Sequence, residues 1–234
     1  GLMDHYDTQG NNFGMSYWDV MASGSYLNNS CTPAAYTSFE RWCMGWLEPV
    51  ELTSQKDIKD MKALVDSPEA YILYNDATPN EFYMLENRQK KGFDTYLYGH
   101  GLLVLHVDYD KMAWAYNQVN TSSARQRVTI IPADDEKVNS LNSLQADPFP
   151  GTKGVTALTD YTTPAATLYN ANVHGRKFMS KPIEDIAEFE DVANAVWYFA
   201  TDASRNTTGA ELAVDGGMLA QLTPDIERKL WKDE

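Results

Sequence analysis

The chain has 234 residues, 43% hydrophobic and 22% charged, with a formal net charge of −14. That is enough to bury a core in one large domain or two small ones. The charge excludes nucleic acid and anionic membrane surfaces as partners, since phosphate binding needs clustered Lys and Arg, and no apolar run is long enough to span a bilayer.

In chain order, residues 1–24 form a Gly/Asn-rich loop that ends in the turn Tyr17-Trp18-Asp19-Val20-Met21-Ala22-Ser23-Gly24. Thr32-Pro33 is a hydroxyl N-cap followed by Pro at the first helical position. It predicts a helix that ends before Pro49, with Tyr36, Phe39, Trp42, Cys43, Trp46 and Leu47 on one apolar stripe. Ser54 with Asp57 predicts a second short helix carrying Ile58, Met61, Leu64 and Val65. From Glu69 the period changes to two. Strands are expected over 71–74, 81–87, 101–108 and 127–131, then a polar loop over 137–153. Residues 188–200 read as a helix and 210–214 as a strand leading into Asp215-Gly216-Gly217, which is α/β grammar. The expected fold class is α+β, with a β-rich centre.

Fourteen Tyr and six Trp fit aromatic sheet packing better than a carbohydrate- or peptide-facing surface. Cys31 and Cys43 either bridge a loop to the following helix or remain two free buried thiols. His106 lies in a strand whose alternate residues are apolar, which predicts a hydrogen-bonded structural histidine. Asp4, Asp7, Asn11 and Asn12 make an oxygen-rich loop. Calcium is one reading of it and turn formation by Asn and Gly the other, because the spacing departs from an EF-hand.

Two sets of motifs resemble known families. Gly1-Leu2-Met3-Asp4 with Tyr6-Asp7-Thr8, then Tyr17 to Ser25, resemble the immune inhibitor A family of secreted zinc metallopeptidases. Glu86-Asn87-Arg88-Gln89, Gly99-His100-Gly101, His106-Val107-Asp108 and Asp147-Pro148-Phe149-Pro150-Gly151-Thr152 extend the resemblance to about residue 187. It implies a metzincin-like catalytic domain followed by β-rich elements, a secreted or cell-envelope location, and zinc-dependent hydrolysis of protein or peptide substrates. Gly1 and Asp4 fall on the last two positions of HExxHxxGxxD, so Asp4 is the implied third zinc ligand and Met21 the Met-turn residue. The HExxH helix has no counterpart here. A catalytic zinc needs three protein ligands and a base for its water, so an inactive fragment is expected, with no catalytic residue and a zinc ion this chain does not hold. His5, beside Asp4, is a substitute ligand only if two neighbours point at one metal.

The second resemblance covers residues 188–222, including 190–204 and Thr208-Gly209-Ala210-Glu211-Leu212-Ala213-Val214-Asp215-Gly216-Gly217. It is similar to the C-terminal end of short-chain dehydrogenases, a packing and subunit-contact segment. The phosphate-cradling GxxxGxG and the proton-transferring Tyr-x-x-x-Lys of that family do not occur in the sequence, so no cofactor-binding residue is assigned. The expected organisation is a peptidase remnant at 1–68, a β-rich continuation at 69–187 and a foreign tail at 188–234, a chimera joined near Ala187-Glu188. The alternatives are an NAD(P)-dependent short-chain oxidoreductase and a non-catalytic β-rich binding module.

Overall fold

A computed structural model describes residues 2–136 and 143–187. Five strands form one mixed sheet in the order β1-β2-β3-β4-β5: β1 Val50–Glu51, β2 Tyr71–Tyr74, β3 Glu81–Arg88, β4 Gly101–Asp108 and β5 Val128–Ile130. Only β1 and β2 run parallel; every other neighbouring pair is antiparallel. The α+β expectation holds at this level.

Strand alternation divides two cores between the faces. Ile72, Phe82, Met84, Leu103, Leu105 and Val107 face a core completed by Met15, Trp18 and Phe39 from the N-terminal segment. Tyr71, Leu73, Tyr83, Leu85 and Val104 face a second core with Phe149, Leu158, Leu168 and Met179. A sheet covered on both faces needs apolar residues at successive positions, which is why residues 82–85 of β3 and 102–105 of β4 are unbroken apolar runs.

The two polar residues at the end of β3 on the first face are neutralised internally. Arg88, fully buried, donates to both carboxylate oxygens of Asp94 at 2.9 and 2.7 Å and to Glu86 at 2.9 Å. Glu86 also accepts from the Ser38 amide, and Asp94 from that of Ala35. This network stitches β3 to the chain that enters the helix.

The helices are shorter than the periodicity predicts. α1, Leu27–Ser30, is a single turn with Asn28 and Asn29 in left-handed conformations. α2 spans Ser38–Cys43 rather than starting at Thr32. Thr37 is its N-cap, in a reciprocal capping box with Glu40, and Gly45 at φ +73 follows its end. Phe39 and Leu47 are buried while Trp46 is 60% exposed, so the predicted apolar stripe is not one helical face. The helix expected after Ser54 is absent: that stretch is irregular, and Ala63 bridges to Asn87 instead. α3 is Lys111–Ala115, capped by Asp110. Strands β2 to β5 lie where the period-two pattern places them. Cys31 and Cys43 are free, which decides against the bridge, and both are exposed rather than buried. The helix and strand expected over 188–214 lie outside the described residues, among which no helix is long and apolar enough to cross a membrane.

Candidate functional site

The N-terminal loop is fastened to the far end of the sheet by two asparagines. Asn120, fully buried, donates to the carbonyls of His5 and Val128, both at 2.7 Å, and accepts from the amides of Arg127 and Val128. Asn117 donates to Asp4 Oδ2 at 2.6 Å and accepts from the Asp4 amide at 2.8 Å. The Asp4 carboxylate thus serves as a loop tie. Asp7 folds the loop on itself by accepting from the amides of Gln9 and Asn11 at 2.8 and 2.6 Å. Burial works against its charge, but these amides outweigh it and lower the Asp7 pKa. Asp7 and Asn12 thus close local turns through amides two to four residues on, while Asp4 is tied to Asn117.

His5 and Met21 meet through the backbone, the His5 amide donating to the Met21 carbonyl at 3.0 Å. The His5 side chain turns inward, away from any shared role with Asp4, and its Nδ1 lies 2.6 Å from Asp19 Oδ2. The other Asp19 oxygen accepts from the Met21 amide at 2.6 Å. Glu40, at the third helical position of α2, joins them, and one ligand atom from each of His5, Asp19 and Glu40 lies within 4.8 Å of the others. Burial, and next the Asp19 charge, push the Glu40 carboxyl up to about 9. Asp19 and Glu40 carry no spacing signal in the sequence that would pair them. The Thr37-x-x-Glu40 capping pattern was readable, but only the docking of α2 against the N-terminal turn turns Glu40 toward His5.

On the opposite sheet face a half-open groove of about 410 Å³ lies between the β4–β5 edge and residues 162–169. His106 forms part of its wall and stacks on Tyr169 with ring centroids 4.9 Å apart. Its Nε2 donates to Glu81 Oε1 at 2.9 Å, in keeping with the structural histidine expected from the strand pattern. Glu81 also accepts from the amides of Tyr169 and Asn170. Burial opposes its charge, yet His106 and these amides hold the carboxyl down at about 2. Thr129 from β5 and Thr162, Thr163 and Thr167 from the lip supply polar atoms. The lip is held by Ala166 donating to Thr159 and by the Thr167–Phe178 bridge.

Comparison with known families corrects the peptidase assignment. The profile of the enoyl-(acyl carrier protein) reductase family matches residues 161–219. No curated protein and no solved structure matches the chain. The match is to a reductase, so the immune inhibitor A resemblance, the zinc metalloendopeptidase function and the hydrolase and zinc descriptors drawn from it are overturned. The metzincin-like refinement of the fold has no support beyond the α+β level. The short motifs behind that resemblance have local physical explanations. Asp4 and Asp7 tie a loop, Glu86 and Arg88 close a buried ion network, and Asp147 accepts from Trp18 Nε1 at 2.8 Å. The match begins at residue 161, upstream of the expected junction, and so takes in the groove lip. Over 161–187 the described residues form turns and isolated bridges with no βαβ unit.

Proposed function

We propose that this chain is a reductase-related, non-catalytic binding protein whose ligand face is the groove between β4–β5 and residues 162–169. The observation that carries the reading is the groove itself. The hydrogen bond between His106 and Glu81 backs it, an imidazole–phenol stack walls it, and threonine hydroxyls border it, all on a sheet core that fixes their positions. Its volume falls within the range of small-molecule sites. Flat aromatic walls beside hydroxyls suit a small sugar or a short peptide segment.

A second reading, an NAD(P)-dependent short-chain oxidoreductase, is favoured by the match over 161–219. Hydride transfer needs a loop whose backbone can approach the cofactor phosphates and a group that moves the proton. This sequence has neither GxxxGxG nor Tyr-x-x-x-Lys.

Two measurements separate the readings. Amide chemical shifts of the purified chain, titrated with a panel of monosaccharides and tripeptides, should move at Thr129 and residues 162–169. Thr129→Val should weaken the response. In parallel, NADPH fluorescence and NADPH oxidation with crotonyl-CoA should show no change. Saturable NADPH binding with crotonyl-dependent oxidation would establish the oxidoreductase instead, and a silent groove across the panel would sink the binding reading.

A further inference from the structure

We propose that His5, Asp19 and Glu40 form a binding site for one divalent first-row transition-metal ion, independent of the groove and on the other face of the sheet. The three side chains are each at most 1% exposed, and they bring one nitrogen and two carboxylate donors within 4.8 Å of one another.

The donors come from three chain segments, and each is held by bonds that leave its metal-facing atom available. His5 is fixed through its backbone, the amide on the Met21 carbonyl and the carbonyl accepting from Met15 and Asn120. Asp19 spends Oδ1 on the Met21 amide, leaving Oδ2 toward His5. Glu40 spends Oε2 on the Thr37 amide at 2.6 Å and hydroxyl at 3.0 Å. Its second oxygen, Oε1, is buried and receives no N–H or O–H from another residue; the Asp19 carboxylate is the polar group that meets it.

That orphaned oxygen is the independent sign of a ligand. Buried polar atoms are almost always paired, and one left bare costs its full desolvation. Ionised, this oxygen can only accept and calls for a cation; in the metal-free protein the proton that Glu40 retains takes that place against Asp19, and an ion would displace it. A cation centred among the three donors would satisfy it while cancelling the charge of two carboxylates in a dry interior.

The donor set selects the ion. One imidazole and two carboxylates suit borderline ions of the first transition row. Calcium, which takes six to eight oxygens, finds too few here. His5 Nδ1 and Asp19 Oδ2 now sit at a hydrogen-bond distance of 2.6 Å. Coordination would replace the shared proton by the ion, so binding should release protons to solvent.

The test uses the full chain carrying Cys31→Ser and Cys43→Ser, because exposed thiols are themselves metal ligands. After chelator treatment the protein is titrated with Co²⁺. Stoichiometry is read by equilibrium dialysis and elemental analysis, and coordination by visible absorption. One bound Co²⁺, a ligand-field band, proton release and a raised thermal midpoint are expected. Glu40→Gln, close in shape, should weaken binding by at least about tenfold, since even loss of a supporting contact around a metal costs that much. Asp19→Asn serves in its place if Glu40→Gln does not fold by circular dichroism. No stoichiometric Co²⁺ in the thiol-free chain, or unchanged affinity in the carboxylate variant, overturns the site.

Discussion

Glu40→Gln should change how stability depends on pH in chelator-treated protein, and in a direction that ordinary loss of a buried group would not produce. The folded Glu40 carboxyl titrates at about 9 against 4.5 for an unperturbed one, with burial the first cause and the Asp19 charge the second. Between those values the unfolded chain has released its proton and the folded chain still holds it. The native state therefore binds more protons, and its stability falls as pH rises. Each pH unit costs about 1.36 kcal/mol, and roughly two and a half units separate 4.5 from pH 7, so about 3 kcal/mol is lost by neutrality. A carboxamide cannot ionise. Its oxygen can accept from the Thr37 amide as Glu40 Oε2 does, and its NH₂ can donate toward Asp19, as a protonated carboxyl would. The variant should match the parent near pH 4.5 and exceed it by about 3 kcal/mol at pH 7. Urea unfolding followed by circular dichroism at several pH values between 4.5 and 8 measures this. Titrating groups away from the His5–Asp19–Glu40 cluster are common to both proteins and cancel in the difference. Parallel stability curves, or a variant weaker throughout the range, would refute the reasoning.

Three further outcomes follow from the buried polar groups. Arg88→Ala strands Glu86 and Asp94 as unpaired buried charges and should cost about 3–5 kcal/mol in urea unfolding; Arg88→Lys should rescue little of it, because an ammonium cannot reproduce the two-pronged contact with Asp94. Glu81→Gln should lower stability at pH 7 by about 3 kcal/mol and flatten its acid dependence. The folded carboxyl lies at about 2, so its contribution is complete above the ordinary 4.5 and is lost as pH falls toward 2. Asp147, raised to about 7 by burial against the opposing bond from Trp18, should make tryptophan emission titrate near neutrality, and Asp147→Asn should abolish that transition. An unchanged emission titration in Asp147→Asn would rule out Asp147 as its origin.

Strands and turns were legible because their causes are local. Short aromatic and aliphatic runs at 71–74, 81–87 and 101–108 have few alternatives in an aqueous protein, and Asn75 to Asn80 punctuate the first two. His106 was readable as structural for the same reason. The helices were overread. Aromatic residues at threefold and fourfold spacing from Tyr36 to Leu47 imitate an amphipathic face, but the Thr37–Glu40 box sets the start at Ser38 and Gly45 follows soon after Cys43. Short motifs misled most. Asp4, Glu86, Arg88 and Asp147 look like pieces of a catalytic design when seen as strings, and in space they are ties and ion networks.

The sequence by itself determined which stretches become strands, the alternation that loads both faces of the sheet, and the absence of a phosphate-binding glycine loop. These depend on the order of residues along one segment. Only the tertiary structure decided that His5, Asp19 and Glu40 converge, that Glu81 supports His106, and that residues 162–169 roof a groove beside β5. Such meetings join segments from different parts of the chain. They are set by how two apolar faces find cover, and no local pattern encodes the distance between side chains that only packing brings together.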